Sequence, residues 1–98
     1  MSKFAARIDA NQPEIVEALR AIGCYVEPRL ARIGGGCPDL LVCRHGVWRV
    51  LEVKDGAKKP SQQKLTGEEL VWHAEALAIG GGQVQIVTSI EQAFQVVK

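Results

Sequence analysis

An α/β domain, in which helices flank a four-stranded mixed sheet, is the fold class this sequence predicts. Three observations lead to it. Apolar residues recur at helical spacing in some segments and at strand spacing in others, three segments open on helix-capping residues, and Arg44-His45-Gly46 separates two apolar runs as a hairpin turn does. With 98 residues, 47% of them hydrophobic, the chain is long enough for one domain over 1–98 and too short for two.

Each element follows from a local signal. Residues 1–10 show no clear periodicity and are expected to be a flexible lead-in. Asn11-Gln12-Pro13-Glu14 combines a capping residue, an early-turn proline and an acid three residues past the cap, so a helix is expected to start there. Ile15, Val16, Leu19 and Ile22 give it an apolar stripe, and Gly23 suits its end. Cys24 to Ile33 reads as a short or irregular strand that Pro28 keeps away from the sheet centre. Gly34-Gly35-Gly36 then permits a backbone path closed to other residues.

Leu40–Cys43 and Val47–Val53 read as the two arms of the hairpin. Asp55 to Gln63, polar and lysine-bearing, is expected to be a basic loop. Thr66-Gly67-Glu68-Glu69 is a capping box opening a second helix over roughly 67–79, with Leu70, Ala74, Leu77 and Ala78 as its stripe. Gln83 to Thr88 fits a last strand. Ser89-Ile90-Glu91-Gln92 is a third capping-box pattern, opening a short helix lined by Ile90, Ala93, Phe94 and Val97.

Bulk properties narrow the function. A formal net charge of +1 gives no global basic field, so contact with nucleic acid has to come from a local patch. Three cysteines, Cys24, Cys37 and Cys43, without a C-x-x-C pair or a secretory leader, argue against a disulfide scaffold and for the cytoplasm, that of a bacterial host if the source is a phage. No apolar run is long enough to span a membrane. Neither three-glycine run leads into Gly-Lys-Ser/Thr, so no nucleotide cofactor is expected.

The chemistry lies in the hairpin. A tight turn at His45-Gly46 pairs residues whose numbers sum to 91, which sets Asp39 opposite Glu52. Like charges so placed repel, with Cβ atoms about 5 Å apart. Lys54 lies on the same face as Glu52 by strand alternation, but one cation does not balance two acids. A hard divalent cation, Mg²⁺ or Mn²⁺, would complete the balance, being held by one or two carboxylates together with phosphate. The site would then suit phosphodiester hydrolysis.

These residues resemble a known family. Pro38-Asp39, a hairpin, then Glu52-Val53-Lys54 is similar to the PD-(D/E)xK nuclease superfamily, and the surrounding sequence looks like its VRR-NUC branch of small phage-type and repair-associated nucleases. Gly36–Val42, Leu51–Gly56 and Leu65–His73 carry the resemblance. It implies a restriction-endonuclease-like core, a metal held by Asp39, Glu52 and the Val53 carbonyl, an acid of the first helix falling on Glu14, and Glu69 where the family often has glutamine. Gln62 and Gln63 lie a turn or two earlier. It also suggests branched or structured DNA, such as Holliday junctions or flaps, as substrate. Two active sites are needed on a symmetrical junction, so a homodimer is the expected assembly. The competing function is a non-catalytic DNA-binding or assembly module on the same fold.

Plainer roles compete for individual residues. Glu14 and Glu69 can be the reciprocal halves of capping boxes with Asn11 and Thr66, and for Glu69 the cap is favoured. Lys58, Lys59, Lys64 and Arg32, with Arg29, can line a phosphate track or simply face water. Trp48 is expected in the core, not as a base-stacking platform. The cysteines are expected to be buried small hydrophobes, and His45 and His73 surface or edge-of-core residues that ligate nothing.

Overall fold

The computed structural model describes residues 8–98, so most of the expected lead-in lies outside the described residues. In chain order, α1 spans Gln12–Ala21, β1 Tyr25–Glu27, β2 Leu40–Arg44, β3 Val47–Val53, α2 Gly67–Gly80, β4 Gln85–Val87 and α3 Ile90–Val97. Single 3₁₀ turns occupy Leu30–Ile33 and Pro60–Gln62. The strands form one sheet in the order β1-β2-β3-β4, with β4 parallel to β3 and the other neighbours antiparallel. This is the mixed four-stranded sheet the periodicity predicts. Pro28 stops β1 after three residues, and a 3₁₀ turn occupies the rest of the segment expected to be extended.

The hairpin has the anticipated register. Arg44 pairs with Val47 and Leu40 with Leu51, and the two turn residues, His45 and Gly46, have φ of 52° and 78°. Positive φ at both positions is the backbone of the two-residue turn whose twist matches antiparallel strands.

One face of the sheet holds the core. Ile15, Val16 and Leu19 of α1 and Ala93 and Val97 of α3 pack against Val26, Leu40, Val42, Leu51, Val53 and Val87. Burying each larger side chain is worth roughly 1.5–3 kcal/mol, so this layer carries most of the stability. Both helices show the stripe expected of them.

The other face differs from expectation. No residue of α2 is buried, and Leu70 and Leu77 of its anticipated stripe are each 56% exposed. The helix turns Glu69 and His73 toward the sheet instead, because polar groups at the end of β3 receive them. Trp48 is likewise outside the core. It is 59% exposed and meets Tyr25 edge-to-face, with ring centroids 6.1 Å apart, since no helix covers that end of the sheet.

Two helix starts are built otherwise than the capping patterns imply. Asn11 caps no N–H of α1; its Nδ2 donates to the carbonyls of Lys54 and Thr88, at 3.1 Å each, tying α1 to the ends of β3 and β4. Glu14 therefore has no box to close. Ser89 accepts from the Gln92 N–H, but Gln92 Oε1 reaches back to the N–H and hydroxyl of Thr88, one residue before the cap. Thr66 and Glu69 do form the full reciprocal box.

Candidate active site

Asp39 precedes β2, and Glu52 sits next to last in β3. The Asp39 N–H donates to the Leu51 carbonyl at 3.1 Å, and its Oδ2 accepts from the Val53 N–H at 2.7 Å. The main chain of β3 thus holds Asp39 from both ends. Its carboxylate comes within hydrogen-bonding reach of that of Glu52.

Burial sets the electrostatics. Asp39 is 8% exposed and Glu52 1%. Loss of solvent pushes Glu52 up to about 10, aided by the hydrogen bond and charge of Asp39 and by Glu69; burial also raises Asp39. Burial and mutual repulsion thus favour a protonated pair over two adjacent charges when no cation is bound.

Lys54 does not offset the pair by direct contact. Its Nζ donates to Glu69 Oε1 at 2.9 Å, and the same oxygen accepts the Thr66 N–H at 2.8 Å. Glu69 is thus both helix cap and lysine anchor, and the two readings of it are compatible. Burial would lower the Lys54 pKa, but the hydrogen bond and charge of Glu69 outweigh it, so the ammonium stays charged. Glu69 is held below its ordinary range despite burial, by the Thr66 N–H and by Lys54.

His73 lies at the edge of the core, where its Nε2 comes 3.0 Å from Glu52 Oε1, a contact the reading of it as a residue that ligates nothing does not include. Strand and helix patterns do not reveal this contact, although His73 follows Glu69 by four residues and so shares its helix face. Asp9 is a further acid missed, close enough for its charge to raise Asp39 and Lys54; it also pairs with Lys58 at 3.5 Å. It lies in the segment read as lead-in, where no spacing signal exists.

Glu14 is not brought to this centre. It is exposed and lines a separate cleft with Asn11, Asp55 and Glu91. The buried polar residue of α1 is Gln12, whose Oε1 has no partner. Gln62 and Gln63 brace the 55–63 loop, accepting from the Lys59 N–H and donating to the Lys58 carbonyl respectively. Lys58, Lys59, Lys64 and Arg32 are all exposed, while Arg29 is engaged by Glu27.

The donor set fits a hard cation. Among the described residues no three His, Cys, Asp or Glu side chains converge into a closed cage. Two carboxylates and main-chain oxygen suit Mg²⁺ or Mn²⁺, which leave part of their shell to water and phosphate. Cys37 is nearby, but burial and the two acids push its thiol up, which disfavours the thiolate that a soft ligand requires.

A solved structure titled "VRR_NUC domain" is 31% identical to this chain over 88% of each, with a TM-score of 0.61. The chain belongs to the VRR_NUC family. It is a nuclease-type domain with the restriction-endonuclease-like sheet of that VRR_NUC structure. No protein-family model and no curated protein matches it. No helix of the described residues is long and apolar enough to cross a membrane.

Proposed function

We propose that this VRR_NUC domain is a metal-dependent DNA endonuclease of the PD-(D/E)xK type, with Asp39, Glu52 and Lys54 at its centre. One observation supports it above the others: two buried carboxylates, Asp39 and Glu52, come together at the end of a hairpin, the first held by the Val53 N–H, beside a lysine that Glu69 anchors. Structural sites rarely bury two acids against each other, whereas a divalent cation turns the repulsion into coordination.

Asp39, Glu52 and the Val53 carbonyl are the proposed ligands of Mg²⁺ or Mn²⁺. The bound cation would lower the pKa of a coordinated water and stabilise charge on the scissile phosphate. Val53, through its N–H, fixes the Asp39 carboxylate before any ligand arrives. Lys54 orients the attacking water and stabilises charge developing on the phosphate, and Glu69 holds the ammonium in place. Lys58, Lys59, Lys64 and Arg32 contact the flanking backbone, which makes binding salt-sensitive. Glu14, exposed in the cleft it lines with Asn11 and Asp55, is not assigned a role in this centre.

Branched or structured DNA, junctions or flaps, is the proposed substrate, cut by a homodimer that carries two centres. The apolar outer side of α2 supports the assembly, since Leu70, Val71, Leu77 and Ile79 are all more than half exposed. Incubating labelled four-way junction, flap, duplex and single-stranded DNA with Mg²⁺, Mn²⁺ or EDTA tests the reading. Metal-dependent cutting, fastest on the junction or flap, is expected. Tight binding without cutting under every condition would leave a DNA-binding module in its place.

A further inference from the structure

The contact between His73 and Glu52 has no place in the chemistry described so far. It joins α2 to the most buried acid of the molecule: the side chains are 14% and 2% exposed, and Nε2 lies 3.0 Å from Oε1. Apolar packing does not account for it, because α2 contributes no buried residue. Polar and main-chain contacts seat the helix, among them Glu69 on Lys54, His73 on Glu52, and the close approach of Gly36 to the Glu68–Glu69 backbone.

The two acids are held alike. The Val53 N–H occupies one oxygen of Asp39, Oδ2, and the His73 ring occupies one oxygen of Glu52, Oε1. Oδ1 and Oε2 are thereby the oxygens left to a ligand. A glutamate side chain has one more rotatable bond than aspartate and costs more to immobilise, so the longer acid has the greater need of a fixed partner. With Glu52 ionised, as a metal ligand would be, a ring N–H that donates to one of its oxygens would set both rotamer and orientation, as partners of metal ligands commonly do.

We infer that His73 is a positioning residue, which fixes Glu52 through Oε1 so that Oε2 is presented to the divalent cation. The inference rests on Asp39 and Glu52 being the metal ligands. Helix α2 then aligns both halves of the centre as one rigid body, since Glu69 sets the ammonium and His73, one turn on, sets the acid.

Calorimetric titration of Mn²⁺ into the intact protein tests this without reference to cleavage. His73→Phe keeps the ring and removes its nitrogens; His73→Gln restores an N–H donor of similar reach. Expected is a loss of about 10–100-fold in Mn²⁺ affinity for His73→Phe, the usual scale for such partners, with His73→Gln within a few-fold of wild type. Thermal melts in EDTA establish that each variant is folded, and if His73→Phe is not, the comparison of His73→Gln with His73→Leu replaces it. Wild-type affinity in folded His73→Phe would show that only packing matters and would overturn the inference while leaving the nuclease reading intact. Equal weakening in His73→Gln and His73→Phe would also overturn it. A wild-type protein that binds no Mn²⁺ would remove the metal site itself, and the inference with it.

Discussion

Asp39, Glu52 and Lys54 differ in what holds them, and their variants should differ accordingly. Lys54→Ala removes the ammonium but leaves both acids, so cleavage should fall by roughly 10²–10³-fold while Mn²⁺ still binds. Asp39→Ala should lose binding and cleavage together; retention of Mn²⁺ affinity in it would place the cation elsewhere. The acids also fix a pH dependence. Glu52 moves from 4.5 to about 10 on folding, so between those values the native protein keeps a proton that the unfolded chain has released. Stability of the metal-free protein must therefore fall as pH rises through that window. His73, held below 6.5 first by burial, acts in the opposite sense only in the acidic range, which makes pH 7 to 9 the interval to measure. Melting temperature in EDTA should decline across it, and Mg²⁺ or Mn²⁺ should reverse the decline by taking the proton's place. A flat or rising profile in EDTA would mean that Glu52 is ionised without a cation. Strand alternation and turn length made the Asp39, Glu52 and Lys54 grouping readable in advance. Asp9 and His73 were not, because their approach depends on where the chain outside the hairpin travels.

The elements contribute unequally. α1 and α3 are anchored by apolar burial, which is why their stripes were legible, whereas α2 is seated by contacts at the site and its apolar residues face away. Helical periodicity reports that a face is apolar, not that the fold covers it, and the same limit misplaced Trp48. Gly36 is the structural hinge of this seating. Its φ is 84°, and a Cβ there would run into the backbone of Glu68 and Glu69, whereas at Gly35, with φ of 64°, it would meet open space. Gly35→Ala should cost roughly 1–2 kcal/mol, the strain of a left-handed residue. Gly36→Ala should cost more in urea unfolding and also impair cleavage, since shifting α2 moves Glu69 and His73 together. Equal stability losses in the two variants, with cleavage retained, would detach α2 from the site. Asn11→Ala should cost about 1–3 kcal/mol, because two carbonyls at the strand ends lose their donor. The capping pattern at Asn11 was misleading for the same reason: those tertiary acceptors outcompeted the local one.

At the scale of the molecule, a near-neutral chain concentrates its chemistry where the hairpin, α2 and the lysine-bearing loop meet. The core lies on one side of the sheet, and the far side leaves Tyr25, Trp48, Leu77 and Ile79 in contact with water. Surfaces of that kind are usually covered by a partner. Sedimentation velocity at micromolar concentration should show a dimer, and Leu77→Asp should shift it to monomer without unfolding; a wild-type monomer would remove the second centre from the proposal. The hydrolytic role itself rests on cleavage of an end-labelled four-way junction by wild type, Asp39→Ala and Lys54→Ala, each with Mg²⁺ and with EDTA. Cutting by wild type in Mg²⁺ alone, absent from Asp39→Ala and reduced at least about 10²-fold in Lys54→Ala, is the result predicted. Cutting that persists in EDTA, or that survives undiminished in both variants, would contradict it.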